Sequence, residues 1–322
     1  MALPHLQLSS SLSIIGQDSK ALRQKHGAGL LVRVRRGAYV DAKAWKKLDE
    51  WDRHRLAAQA LEAIADYAPH FSRRSAAVIW GISVRKVPPT LQCTHNRPGG
   101  GRSRHGVDRQ LIRPHQQFVS QGGLTLTDIP STLLDLAGTD SFEDAVIAWD
   151  YCLNPQRSGS CRITRAQMQR RLDQLQPAAL RSRCRAILDF AVTNSGSAGE
   201  SLSRASMYLM GFPPPELQRV FLDAQGRHIA TTDYYWPENK LVGEFDGRAK
   251  YKSEEFLGGR RPEDIVVAEK IREDRLRAQG NGVARWLWED ATHPERLRTI
   301  LLNAGLEPTL RRCPPGQWRS TS

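Results

Sequence analysis

Apolar and polar positions alternate through residues 228–235, HIATTDYY, and again through 241–245, LVGEF. A period of two, rich in β-branched and aromatic residues, predicts two strands. Pro237-Glu238-Asn239 between them predicts a turn, so the pair reads as a hairpin. Residues 218–224 read as a further strand, which Gly226 turns into the hairpin. Upstream, a helix opens at Gly199-Glu200-Ser201, runs to Met210, and is stopped by Gly211 and Pro213-Pro214-Pro215. Downstream, 262–279 has helical spacing with acids early and Arg275 and Arg277 late, closed by Gly280 and Gly282. Residues 283–288 read as a buried strand and 293–304 as a last helix. Helix, three strands, helix, strand, helix predicts an α/β sandwich over this part of the chain.

The first half is patterned differently. Asp18-Ser19 can cap a short helix that Gly27 and Gly29 end. Residues 30–34 alternate like a strand, Arg35-Arg36-Gly37 forms a basic turn, and 38–40 return. A short helix followed by a hairpin with an arginine-rich tip looks like the latter half of a winged helix. Residues 51–68 and 72–81 read as helices. Residues 84–119 are polar and interrupted by Pro88-Pro89, and the run NRPGGGRSRHG at 96–106 reads as a mobile basic loop between short strands. Two helices are predicted over 127–137 and 142–153, and 154–161 reads as a linker. Residues 163–190 have helical spacing broken at Pro177 and carry Arg165, Arg170, Arg171, Arg181, Arg183 and Arg185. The expected division is a DNA-binding domain over 1–153, a basic helical linker over 154–198, a second domain over 199–305 and a tail over 306–322.

Charge sharpens this picture. The 322 residues carry a formal net charge of +13 and a sequence pI near 9.9. Such an excess favours a polyanionic partner, nucleic acid by default, over a membrane surface, because no long basic amphipathic helix stands out. Arg33, Arg35 and Arg36 in the hairpin, and Arg165, Arg170 and Arg171 in the basic helix, are the candidate DNA contacts. The same residues also suit a solvated turn and a solvated helix face. The five cysteines, Cys93, Cys152, Cys161, Cys184 and Cys313, form no C-x-x-C pair, which argues against zinc and against a disulfide framework. With no signal peptide and no membrane-spanning run, the expected location is the cytoplasm.

The hairpin's acids carry the candidate chemistry. Glu244 and Asp246 are two apart, so on a strand they share a face, and antiparallel pairing brings Asp233 close to them. Converging carboxylates repel one another unless a cation sits between them, and hard divalent ions such as Mg²⁺ or Mn²⁺ favour oxygen ligands. Carboxylate clusters also occur as plain structural networks.

Glu200, Gln218, Asp233, the run Glu244-Phe245-Asp246-Gly247 and the helix and strand after it resemble the PD-(D/E)XK nuclease superfamily, in particular its very-short-patch-repair-like domains. The resemblance spans about residues 199–302. It implies a restriction-endonuclease-like sandwich in which Asp233 and Glu244 hold the metal, Asp246 lies beside them, Glu200 reaches in from its helix and Gln218 assists. Where the family has a lysine two residues after the second-strand acid, this chain has Asp246. Either Lys250 or Lys252 supplies that group, Lys250 being the candidate to stabilise the nucleophile, or Asp246 joins Asp233 and Glu244 as a metal ligand.

Residues 16–153 are similar to AbiE-type antitoxins of type IV toxin–antitoxin systems, on LVRVRRGAYV at 31–40, on 72–81 and on the helix pair 127–137 and 142–153. This chain departs from that pattern in its short helix-turn-helix and in Ser131, where an arginine is usual. The likeness implies DNA binding, transcriptional autoregulation and a cognate toxin protein as partner. The expected fold is thus an α+β N-terminal half with a winged-helix-like start, followed by a C-terminal α/β sandwich. Two functions compete: a metal-dependent DNA endonuclease that hydrolyses phosphodiesters, and a non-catalytic regulator built on an inactive nuclease fold. Fold analogy does not choose between them.

Overall fold

The computed structural model describes residues 3–10, 20–96, 103, 105–157, 159, 161–176, 178–247 and 262–309, and within 262–266 the backbone alone. Asp18, Ser19, Pro177, Lys250, Lys252, Cys313, residues 97–102 and the tail beyond 309 lie outside the described residues. The described residues form a mixed α/β structure with three sheets, and the chain divides into two compact units. One is Met1–Thr139 with Asp173–Pro177; the other is Asp140–Leu172 with Ala178–Ser322. Among the described residues no helix is long and apolar enough to cross a membrane.

The first unit begins with β1 (Gln7–Leu8), α1 (Lys20–Gly27), β2 (Leu31–Arg35) and β3 (Ala38–Asp41). The three strands form an antiparallel sheet in the order β1-β3-β2. Next come α2 (Ala42–Lys46), α3 (Glu50–Ile64), β4 (His70–Phe71), α4 (Arg73–Trp80), β5 (Leu91–His95), β6 (Val107–Leu111), β7 (Phe118–Gln121), β8 (Leu124–Thr127) and α5 (Ile129–Thr139). Asp49 starts α3, its carboxylate accepting the Asp52 amide at 2.8 Å, and Gly81 ends α4 at φ 80°, where a Cβ would be strained. Strands β4 to β8 form a five-stranded sheet ordered β6-β5-β4-β8-β7.

That sheet takes in the short strands expected on either side of the 96–106 run, as β5 and β6. Parallel pairing of β5 with β6 sets Leu91 opposite Val107, and both pack with Cys93, Phe71 and Leu126 in one core. The stabilising contacts are non-local, so a short polar-flanked strand shows little of them in its own periodicity.

His54 is buried in this unit at 8% exposure, its Nε2 2.8 Å from Ser75 Oγ. Burial, with Arg55 adding to it, pushes the imidazole pKa from 6.5 down to about 4. The unfolded chain therefore takes up a proton that the folded chain refuses. Stability is full above about pH 6.5 and is lost as pH falls toward 4, on the order of 3 kcal/mol in all. Urea unfolding of wild type and His54→Gln across this range should show a shallower pH slope in the variant. Equal slopes would remove His54 as the cause.

The second unit contains α6 (Phe142–Leu153), α7 (Arg165–Asp173), α8 (Ala178–Phe190) and α9 (Ala198–Leu209), followed by β9 (Glu216–Leu222), β10 (His228–Trp236) and β11 (Leu241–Asp246). It closes with α10 (Pro262–Ala278), β12 (Gly282–Leu287), α11 (Trp288–Ala291) and α12 (Pro294–Asn303). The sheet order is β12-β11-β10-β9, with β11 and β12 parallel and the other pairs antiparallel. The units part at Thr139, not at the 154–161 linker. The physical cause is a buried ion pair: Asp150 of α6 binds Arg204 of α9 at 2.8 Å, both side chains 1% exposed.

Two clusters pack against this sheet. In one, Val242, Ala230 and Phe221 pack with Leu276 of α10. In the other, Tyr234 stacks with Trp286 and Trp236, and the Trp286 indole donates to Ser203 Oγ of α9 at 2.8 Å. Gly243 and Gly199 permit this packing. A Cβ on Gly243 would lie 2.8 Å from the Trp286 ring, and one on Gly199 2.0 Å from the Phe245 ring.

Candidate functional site

Glu200 enters the site because Ser197 starts α9. The Ser197 hydroxyl oxygen accepts the Glu200 amide at 3.2 Å, and the Glu200 Oε2 accepts the Gly196 amide at 2.8 Å. This is close to a capping box, Ser-x-x-Glu, which binds orphan donors at the helix start. The Tyr234 hydroxyl donates to the Glu200 carbonyl at 2.6 Å, tying the helix to β10. Glu200 therefore has a structural role as well as a place beside the sheet.

Gln218 brings Glu200 and Asp233 together. Its side-chain amide donates to Glu200 Oε2 at 3.2 Å and reaches Asp233 Oδ1 at 3.5 Å. Its backbone sits at φ 53°, a conformation rare for a residue with a side chain and found where structure over-determines the position. The other Asp233 oxygen accepts the Phe245 amide at 2.8 Å. An uncharged NH₂ group thus lies between two carboxylates.

Glu244 and Asp246 meet a different set of partners. The β11–β12 register sets Arg285 beside Glu244. Arg272 of α10 grips both Glu244 oxygens at 2.8 Å each, and Arg285 Nη2 lies 2.8 Å from Oε2. The Arg285 guanidinium also lies 3.4 Å from Asp246, 3.2 Å from Glu269 and 3.3 Å from Glu273. A guanidinium therefore stands among four carboxylates, as a divalent ion would. Burial raises the Glu244 pKa and Asp233 adds to the rise, while Arg272 and Arg285 act against it. For Glu269 burial acts upward, but Arg272 and Arg285 outweigh it and the net shift is downward.

In this geometry the expected metal set of Asp233, Glu244 and Asp246 is engaged by other partners. Glu244 spends both oxygens on guanidinium groups, and Asp233 spends its own on a backbone amide and the Gln218 amide. Among the described residues no group of three or more His, Cys, Asp or Glu side chains is placed to hold a metal. The residues present do not fit Mg²⁺ or Mn²⁺ in this arrangement. Arg272, Arg285 and Glu269 were invisible to motif reading, since helix α10 and strand β12 lie well beyond the acidic run. The one available signal was register, because a parallel strand after an acid-bearing strand can set a basic residue beside the acid.

The proposed DNA contacts fare unequally. Arg165 is engaged internally: it donates to the carbonyls of Leu188, at 2.5 Å, and Ala191. The end of helix α8 exposes carbonyl oxygens that need donors, and Arg165 supplies them. Arg170 is exposed and Arg171 half-buried on α7. In the first unit, Arg33 and Arg36 are exposed. Arg35 is anchored, donating to the His105 carbonyl at 2.7 Å, and burial lowers its pKa, with Arg109 adding to that and Cys93 and Tyr67 opposing it.

These hairpin arginines line a cleft of about 890 Å³ together with Arg109, Tyr67 and His105. Leu61, Ile64 and Ala65 give it an apolar side, and Asp66 is the one acid in its lining. Arg109 lies over the Tyr67 ring, 5.5 Å from its centroid, and donates to the Tyr67 hydroxyl.

No protein-family model matches this chain, and no curated protein does. Among solved structures, a crystal structure of the RV2827C protein from Mycobacterium tuberculosis aligns with a TM-score of 0.39 and 16% identity. The alignment covers 62% of this chain and 75% of that one. A likeness of this size fixes neither fold nor function.

Proposed function

We propose that this chain is a DNA-binding regulator whose C-terminal unit, a nuclease-like sandwich, does not cut. The observation that carries the choice is the double guanidinium grip on Glu244. Metal-dependent hydrolysis needs carboxylate oxygens open to a cation that lowers the pKa of bound water and relieves charge on the leaving oxygen. A buried carboxylate already neutralised by two arginines gives a cation little to gain. The excess charge of +13 and the arginine-lined cleft beside the winged-helix-like hairpin support nucleic acid as the partner.

The test uses the full chain. Supercoiled plasmid incubated with Mg²⁺ or Mn²⁺ should stay intact, while a gel-shift assay at low salt should show duplex binding without added metal. Metal-dependent nicking that Asp233→Ala abolishes would establish the endonuclease instead. Absence of binding at low salt would end the DNA-binding reading altogether.

A further inference from the structure

The cleft in the first unit has a composition that backbone contact with duplex DNA does not require. Phosphate contacts need cations, and Arg33 and Arg36 supply them from an exposed hairpin. Such contacts make no use of an aromatic ring or an apolar wall. Yet the cleft sets the Tyr67 ring, 49% exposed, against the Arg109 guanidinium, with Ile64 and Leu61 beside them. A π-face, a planar cation and an apolar side are what an unstacked base uses, and neighbouring arginines suit the phosphate attached to it. At about 890 Å³ the cleft falls in the range of small-ligand pockets, enough for a nucleotide. Bases within a duplex present their edges, not their faces, so only an unpaired strand can fill it. An acidic peptide would satisfy the arginines but leave the ring and the apolar side without a partner.

We infer that this cleft binds a nucleotide of single-stranded nucleic acid, its base against Tyr67 and Arg109 and its phosphate held by Arg33 and Arg36. The inference rests on the nucleic-acid reading above and adds to it strand-state selectivity: Tyr67 and Arg109 serve only an unpaired base, while Arg33 and Arg36 serve the phosphates of either strand state.

Fluorescence anisotropy with three labelled probes tests it: oligo-dT, an abasic oligodeoxynucleotide of equal length, and a duplex. Wild type should hold oligo-dT roughly 5- to 100-fold more tightly than the abasic strand, the contribution of base stacking. Tyr67→Ala should remove that difference and leave duplex affinity unchanged. Tyr67→Phe, which keeps the ring and loses only the hydroxyl that Arg109 contacts, should retain it. Equal wild-type affinity for oligo-dT and the abasic strand would overturn the inference without any variant having to fold. So would displacement of oligo-dT by poly-glutamate as readily as by unlabelled oligo-dT. In either case, duplex binding by wild type would leave the DNA-binding reading standing; loss of all three probes would remove both.

Discussion

Asp150→Ala should unfold the second unit at a temperature lower by on the order of 10 °C. The Asp150 carboxylate accepts hydrogen bonds from Val192 N–H at 2.8 Å, Ser201 Oγ at 2.7 Å and Arg204 Nη2, 3.1 and 2.8 Å from its two oxygens. Arg204 is held further by the Phe190 carbonyl at 2.9 Å and lies 4.0 Å from the centre of the Phe190 ring. Removing the acid leaves a guanidinium buried without its counter-charge, which costs about 3–5 kcal/mol. That is a large share of the roughly 5–15 kcal/mol that holds a domain folded. Asp150→Ala combined with Arg204→Leu should recover part of the loss, because the stranded charge is then gone. Calorimetric melting of the two single variants and the double decides the matter. An unshifted transition for Asp150→Ala would mean that the pair does not hold α6 to α9.

Removal of Arg33 and Arg36 together should cut duplex affinity steeply and flatten its salt dependence. Each phosphate contact contributes about 0.9 to the slope of log K against log salt, so two lost contacts should lower the slope by about 2. Both side chains are exposed, so the fold should survive the change. Arg165→Ala serves as the contrast. Its guanidinium is committed to the Leu188 and Ala191 carbonyls, so its loss should lower melting temperature and leave the salt slope alone. An unchanged slope in Arg33→Ala/Arg36→Ala would take the hairpin out of the interface.

Much of the second unit could be read from local pattern. Helix α6 spans Phe142–Leu153 as its spacing predicts, and the hairpin of β10 and β11 follows from alternation across a proline-containing turn. Glu200, Gln218 and Asp233 meet through the Gln218 side-chain amide, a juxtaposition across 33 residues that spacing alone does not give. What local pattern could not supply was anything set by long-range pairing. Asp150 reads as one more acid on a helix until Arg204, 54 residues later, reaches it. Glu244 reads as an available ligand until α10 and β12 bring two arginines against it.

Gly199 and Gly243 carry no chemistry, yet one lies against Phe245 and the other against Trp286 and Trp236 with no room for a methyl group. In evolutionary terms these two positions are closed to drift. Every codon change that alters a glycine adds at least one carbon, and in a close-packed interior an added carbon is felt. A lineage that keeps this sheet must therefore keep both glycines, or shrink a facing ring in the same step.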